Sequence, residues 1–324
     1  MEVKKVGTKI AITEIEGLRI GQAKDENGKT GVTVLLFDKT AIGGVDISGG
    51  GPASRETPLL SPLTASGSLN AIVLSGGSAY GLEASTGVMQ YLEEHGIGFE
   101  TQFARIPLVC QSCIYDLGYG DAKIRPDAKM GYAACVDAEK VKEPKSGNEG
   151  AGCGATVGKL FGMACAEKSG LGIAALQVGE LKMAAVVVVN AFGDIFDSAT
   201  GKKIAGLKSP DRSAYVDTCE EFLKIAKPTD FYKENTTIGA VITNGHFAQD
   251  EVNKIASMAR CAYSRNINPV GTMADGDTIY AVSMGNVRAD INVAGTLAAQ
   301  VMSLAIENAV ASAKITDEEY LKNV

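Results

Sequence analysis

The chain has no tryptophan and only two histidines, His95 and His246, in 324 residues. A Ser-His-Asp triad needs an imidazole beside its nucleophile. His95 precedes Gly96 in a helix-ending signal and His246 sits in a turn, so neither has an obvious hydroxyl partner. Positive charge is short as well: 31 Lys and Arg against 38 Asp and Glu leave a net charge of −7. That balance argues against a nucleic-acid partner, because a phosphate groove needs clustered cations. The uninterrupted apolar runs, such as 184–189, are too short to span a bilayer. Residues 1–9 lack the apolar core of a secretory signal. The expected location is the cytoplasm, with no membrane partner. Seven scattered cysteines, an odd number, fit reduced and mostly buried thiols. Cys110 and Cys113 form a CxxC with no second CxxC and no histidine pair, so no metal and no cofactor are expected.

Glycine is in surplus, at 38 of 324 residues against an average of about 7%. The glycines cluster without a period, which excludes collagen and a flexible linker. Clusters of this kind allow tight turns and close backbone approach. Four β-branched runs, 31–37, 70–75, 183–190 and 237–243, read as buried strands. Helices are expected at 80–94, closed by His95-Gly96, at 249–262, and at 293–312. The polar segment 197–234 reads as a surface connection with a short helix near 218–225. Strands and helices intermix along the chain, so the expected class is α/β in one domain.

Several motifs carry possible chemistry. Gly150 to Lys159 invites a nucleotide-binding reading, but Cys153 stands where a P-loop needs its first glycine and Leu160 follows the lysine. The plain reading is a glycine-rich turn entering a helix, with Lys159 on a solvated face. The alternative puts Lys159 in a cleft, where burial favours a neutral amine that assists proton transfer. Asp275-Gly276-Asp277 suits a turn, or a carboxylate pair that orients an ammonium group. Asn190 ends a strand-like run as a turn former or as an oxyanion donor. Tyr115 reads first as core.

The segment Asn235-Thr236-Thr237-Ile238-Gly239 places a hydroxyl at the head of an apolar run. In a chain so poor in histidine, one way to activate it is cleavage before the threonine. The freed α-amine, with a pKa of roughly 7.7–8.0, then serves as the base.

Together these segments resemble peptidase family S58, the self-processing L-aminopeptidase/D-esterase (DmpA-like) hydrolases, which include β-aminopeptidases and the 6-aminohexanoate-oligomer (nylon oligomer) hydrolase. The stretches that carry the resemblance are Gly49-Gly50-Gly51-Pro52-Ala53-Ser54-Arg55-Glu56-Thr57, Ser75-Gly76-Gly77-Ser78-Ala79-Tyr80-Gly81-Leu82, Gly150 to Lys159 and Asn235 to Asn244. The resemblance implies a four-layer α-β-β-α sandwich of the DmpA/ornithine acetyltransferase type. It also implies self-cleavage into associated pieces, 1–235 and 236–324, and assembly as a homotetramer or larger. By the same resemblance the nucleophile is Thr236, with Thr237 as competitor, and its companions are Tyr115, Lys159, Asn190, Asp275 and Asp277. The threonine, the preceding asparagine, the lysine and the paired aspartates look closest to the nylon-oligomer branch. The serine aminopeptidases show Thr-Asp-Ala where this chain has Thr243-Asn244-Gly245. The expected reaction is hydrolysis of an oligoamide or peptide substrate. Aminopeptidase action and amino-acid acyl transfer are the alternatives, and a non-catalytic binding protein that keeps the fold uncut is a further rival.

Overall fold

Val186 and Val188 point into one apolar core and Val187 and Val189 into another. This is the two-residue alternation of a strand covered on both faces. A computed structural model describes residues 7–65, 67–140, 142–225 and 235–324. Its principal elements, in chain order, are β1 (Leu18–Asp25), β2 (Thr30–Ile47), β3 (Ser68–Ser75), α1 (Ala84–Glu94), β4 (Val109–Cys113), α2 (Ala128–Ala138), β5 (Leu171–Val178), β6 (Leu181–Asn190), β7 (Thr236–Gly245), α3 (Gln249–Ala259), α4 (Cys261–Asn266), β8 (Thr278–Val287) and α5 (Ile291–Ser312).

Strand β2 is long enough to serve two layers. Its first half lies between β1 and β3, and β4 joins β3 in parallel. At the exposed residues Asp38, Lys39 and Thr40 the ladder with β3 slips, and the second half pairs with β8. The second layer then runs β8, β7, β6, β5, with β7 and β8 parallel and the other pairs antiparallel. Leu35, Phe37, Ile72 and Leu74 of the first layer meet Val186, Val188, Ile238 and Ile242 of the second. Outside the first layer Val34 and Val73 pack under Val88, Leu92 and Ala134 of α1 and α2. Outside the second, Val187 and Val241 pack under Ile255, Val301 and Met302 of α3 and α5. The architecture is the expected α-β-β-α sandwich.

Helix α5 is long and apolar enough to cross a membrane by length and composition, although the shorter uninterrupted runs are not. Here Val301, Met302 and Ile306 are fully buried against the second layer. Burial of each such side chain contributes about 1.5–3 kcal/mol, so its apolar character is accounted for within the sandwich.

Four local expectations change. The 80–94 helix begins as a 3-10 turn, Ser78–Glu83, where Gln111 Nε2 holds the Gly81 carbonyl at 2.7 Å. The 249–262 helix breaks into α3 and α4 at Arg260. Gly150 to Lys159 leads into no α-helix: it opens on a 3-10 turn, Gly150–Gly152, and Thr156–Val157 then pairs with Glu167–Lys168. In the expected surface connection, Lys203–Ala205 pairs with Asp194–Phe196 and Leu207 is fully buried; its last part, 226–234, lies outside the described residues. The seven thiols are unpaired, and Cys261 is exposed rather than buried.

Candidate active site

Thr236 is the first residue of β7 and stands opposite Asn190, the last residue of β6. Directly paired residues project from the same face of a sheet. Both therefore face the inter-sheet layer that holds Val188 and Ile238. Thr237 pairs with Val189 and faces the helices. The register thus separates the two candidate nucleophiles. Thr236 Oγ1 donates a hydrogen bond to the carbonyl oxygen of Asn235, and both residues are buried. The N–H of Gly276 donates to the same carbonyl oxygen at 3.0 Å.

Lys159 is carried in by a turn at Gly158, whose φ of +71° and close approach to Leu207 N leave no room for a side chain. The lysine Nζ donates to the Asn190 carbonyl oxygen at 3.0 Å and to Asn190 Oδ1 at 2.9 Å. Asn190 Oδ1 also accepts from Thr156 N at 3.0 Å, and Asn190 Nδ2 donates to the Tyr115 carbonyl oxygen at 2.8 Å. Tyr115 comes from the segment just after β4, so this cluster joins the two sheet layers.

The acidic pair lies on the loop before β8. Asp277 Oδ1 accepts from Thr237 N at 2.7 Å and Oδ2 from Gly271 N at 2.9 Å. Asp275 Oδ2 accepts from Thr272 N and Thr272 Oγ1 at 2.8 and 2.6 Å. Burial raises the pKa of both carboxyls. The charge of Asp275 raises Asp277 further, while amide hydrogen bonds and the charge of Lys159 pull against the shift. A buried pair of this kind disfavours double ionisation.

The sequence profile of peptidase family S58 matches residues 11–320. The chain belongs to peptidase family S58. This S58 chain is 35% identical over 301 residues to an uncharacterized aminopeptidase of Mycobacterium leprae, covering 86% of this chain and 80% of the relative. It is 32% identical over 318 residues to a 6-aminohexanoate-oligomer endohydrolase of Agromyces sp., covering 93% and 86%. Among solved structures, the L-aminopeptidase D-Ala-esterase/amidase of Ochrobactrum anthropi matches with a TM-score of 0.72 at 16% identity, over 98% of this chain and 95% of that one. A β-aminopeptidase of Burkholderia sp. matches with 0.67 at 18% identity, over 98% and 94%. At these identities the structural likeness speaks for the fold alone, described for the Ochrobactrum protein as a variant of the Ntn hydrolase fold. Membership of S58, with relatives named aminopeptidase and oligomer hydrolase, makes this chain an amide hydrolase.

Tyr115, Lys159, Asn190, Thr236, Asp275 and Asp277 all lie in this neighbourhood, and their contacts are specific. Lys159 is half-buried beside Asn190, not on a solvated helix face. The Asp277 carboxylate binds backbone amides, and Asp275 binds Thr272. Tyr115 meets Asn190 through its backbone carbonyl. Sequence reasoning missed Asp116, which lines a small cavity with Tyr115, Thr156 and Lys159. Asp116 accepts from Thr30 Oγ1 at 2.6 Å and Gly77 N at 2.7 Å. Burial pushes its carboxyl up to about 6, against the pull of those bonds and of Lys159. Its position beside Tyr115 was the available signal. Gly276 was also missed as a participant, because a backbone N–H leaves no mark in a sequence.

Proposed function

We propose that this S58 hydrolase cuts its own chain between Asn235 and Thr236 and then uses the freed Thr236 against linear amides. Oligomers of 6-aminohexanoate are the leading substrate class. The observation that carries this reading is the Thr236 hydroxyl resting on the carbonyl of the bond it would cut, in a buried strand start opposite Asn190. Attack by Oγ1 on the Asn235 carbonyl shifts the acyl group from nitrogen to oxygen, and water hydrolyses the ester. In the cut enzyme the Thr236 amine takes the hydroxyl proton, with Lys159 beside it through Asn190. Asn190, already oriented by Lys159 and Tyr115, donates its remaining amide hydrogen to the substrate oxyanion. The two pieces stay associated because β7 is hydrogen-bonded on one side to β6 of the larger piece. Assembly of the cut unit as a homotetramer and residence in the cytoplasm belong to the same reading.

Release of single N-terminal residues from peptides is the second reading, supported by the name of the Mycobacterium leprae relative. One panel separates the two. Intact mass should first give two fragments, 1–235 and 236–324. The cut protein is then offered 6-aminohexanoate oligomers, aminoacyl amides and β-peptides. Fastest turnover of the oligomers supports the leading class, and turnover confined to N-terminal residues replaces it with the aminopeptidase. An intact chain without amidase activity overturns both.

A further inference from the structure

We infer that the backbone N–H of Gly276 is the oxyanion donor for self-cleavage. The inference rests on the self-cleavage proposed above and assigns that reaction a group with no side chain. The Gly276 N–H donates to the Asn235 carbonyl oxygen at 3.0 Å, and Thr236 Oγ1 contacts the same oxygen. Donor, nucleophile and scissile carbonyl are therefore assembled before any bond changes. Asn190 holds the Tyr115 carbonyl and Lys159 instead.

The N–H is held in position by a stretch to which the motif reading assigned no chemistry. Gly51 N donates to the Asp275 carbonyl at 2.8 Å, Gly50 N to the Thr272 carbonyl at 3.1 Å, and Gly49 N to the Asp277 carbonyl at 3.2 Å. Three successive glycine amides thus bind the loop on both sides of Gly276. Position 276 must itself be glycine, since a Cβ there would lie 2.7 Å from Thr236 Oγ1 and 2.9 Å from the Gly51 carbonyl oxygen. A methyl group would occupy the space of the attacking hydroxyl.

As Oγ1 bonds to the Asn235 carbonyl carbon, the C=O electron pair moves onto oxygen, where the Gly276 N–H meets it. The hydroxyl proton passes to the peptide nitrogen, and the C–N bond breaks as the carbonyl re-forms. Asn235 is then esterified to Thr236 Oγ1, and Thr236 carries a free amine. Water cleaves the ester, restoring the hydroxyl and leaving a carboxyl group on Asn235. A preorganised backbone donor at the developing oxyanion typically contributes about 10²–10³ in rate.

The test is full-length chain made in a cell-free system with glycolic acid in place of Gly276. That exchange turns the N–H into an ester oxygen and adds no atom near Thr236. Cleavage is followed by pulse-chase and intact mass beside the unaltered chain, Thr236→Ala, and a chain carrying glycolic acid in place of Gly50. The expected result is cleavage slowed about 10²–10³-fold at the Gly276 exchange and less than about tenfold at Gly50. Cleavage within about threefold of the unaltered chain overturns the assignment, as does equal slowing by the two exchanges, which would trace the effect to loop integrity. Failure of the unaltered chain to cleave, or cleavage of Thr236→Ala, removes the self-cleavage reading itself.

Discussion

On one side of Thr236 an ammonium group meets an asparagine: Lys159 Nζ donates to Asn190 Oδ1 at 2.9 Å and to the Asn190 carbonyl at 3.0 Å. On the other side carboxylates meet backbone amides: Asp277 spans Thr237 N and Gly271 N, and Asp275 holds Thr272 N. The difference lies in what holds each group. A half-buried lysine at the end of a flexible stem can exchange partners and protons without moving the chain. A fully buried carboxylate that closes a loop onto a strand holds geometry, and removing it leaves amide donors unpaired at about 1–3 kcal/mol each.

The largest expected effect falls on the residue between them. Thr236→Ala should remain one chain and lose amidase activity by at least about 10⁴-fold, read by intact mass and turnover of a 6-aminohexanoate oligomer. Two fragments from that variant would move the nucleophile elsewhere. On the lysine side, Lys159→Met should lower kcat by about 10²–10⁴-fold while its urea midpoint stays near that of the unaltered chain. A loss below tenfold would take Lys159 out of proton transfer.

The carboxylate side should respond in the opposite way. Asp277→Asn puts an NH₂ group against the amide of Thr237 or Gly271 and should lower stability by about 2–4 kcal/mol, measured by urea unfolding, with cleavage slowed as a consequence. An unchanged midpoint would place Asp277 with the reacting groups instead. The smallest effect concerns Asp116, raised from 3.8 to about 6 by burial. A carboxyl whose folded pKa lies above its unfolded one contributes stability fully below about pH 4 and loses it as pH rises to about 6. Asp116→Asn should remove that slope, so the stability difference between the two proteins changes by about 2 kcal/mol over this window. Parallel curves would show that Asp116 does not titrate there.

Much of the architecture was legible because periodicity survives in one dimension. The unbroken β-branched run at 183–190 marked a buried strand, and the alanine-rich run near 293–312 marked the long helix now seen as Ile291–Ser312. The shortage of histidine drew attention to the hydroxyls at 236 and 237, and the family resemblance, not elimination, favoured Thr236. The bend in Thr30–Ile47 was not, because its exposed Asp38-Lys39-Thr40 looks like any strand end. Whether Lys159 lay on a helix face or in a cleft stayed open in the sequence, because a glycine-rich segment fits a helix entrance as well as a tight turn against Leu207. The Asp275–Asp277 spacing suggested a pair but not its partners, which are amides from other strands and turns.

The sequence by itself determined the strand and helix faces, the scarcity of imidazole and the family, since these depend on residue type and order. Tertiary structure decided which faces Thr236 and Thr237 occupy, because only register puts Thr236 opposite Asn190 on the inter-sheet face and Thr237 on the helix side. It also decided that Gly276, from a loop 40 residues beyond Thr236, brings its N–H to the Asn235 carbonyl. Hydrogen bonds between backbone groups distant in sequence depend on where the chain passes, and no residue type encodes them.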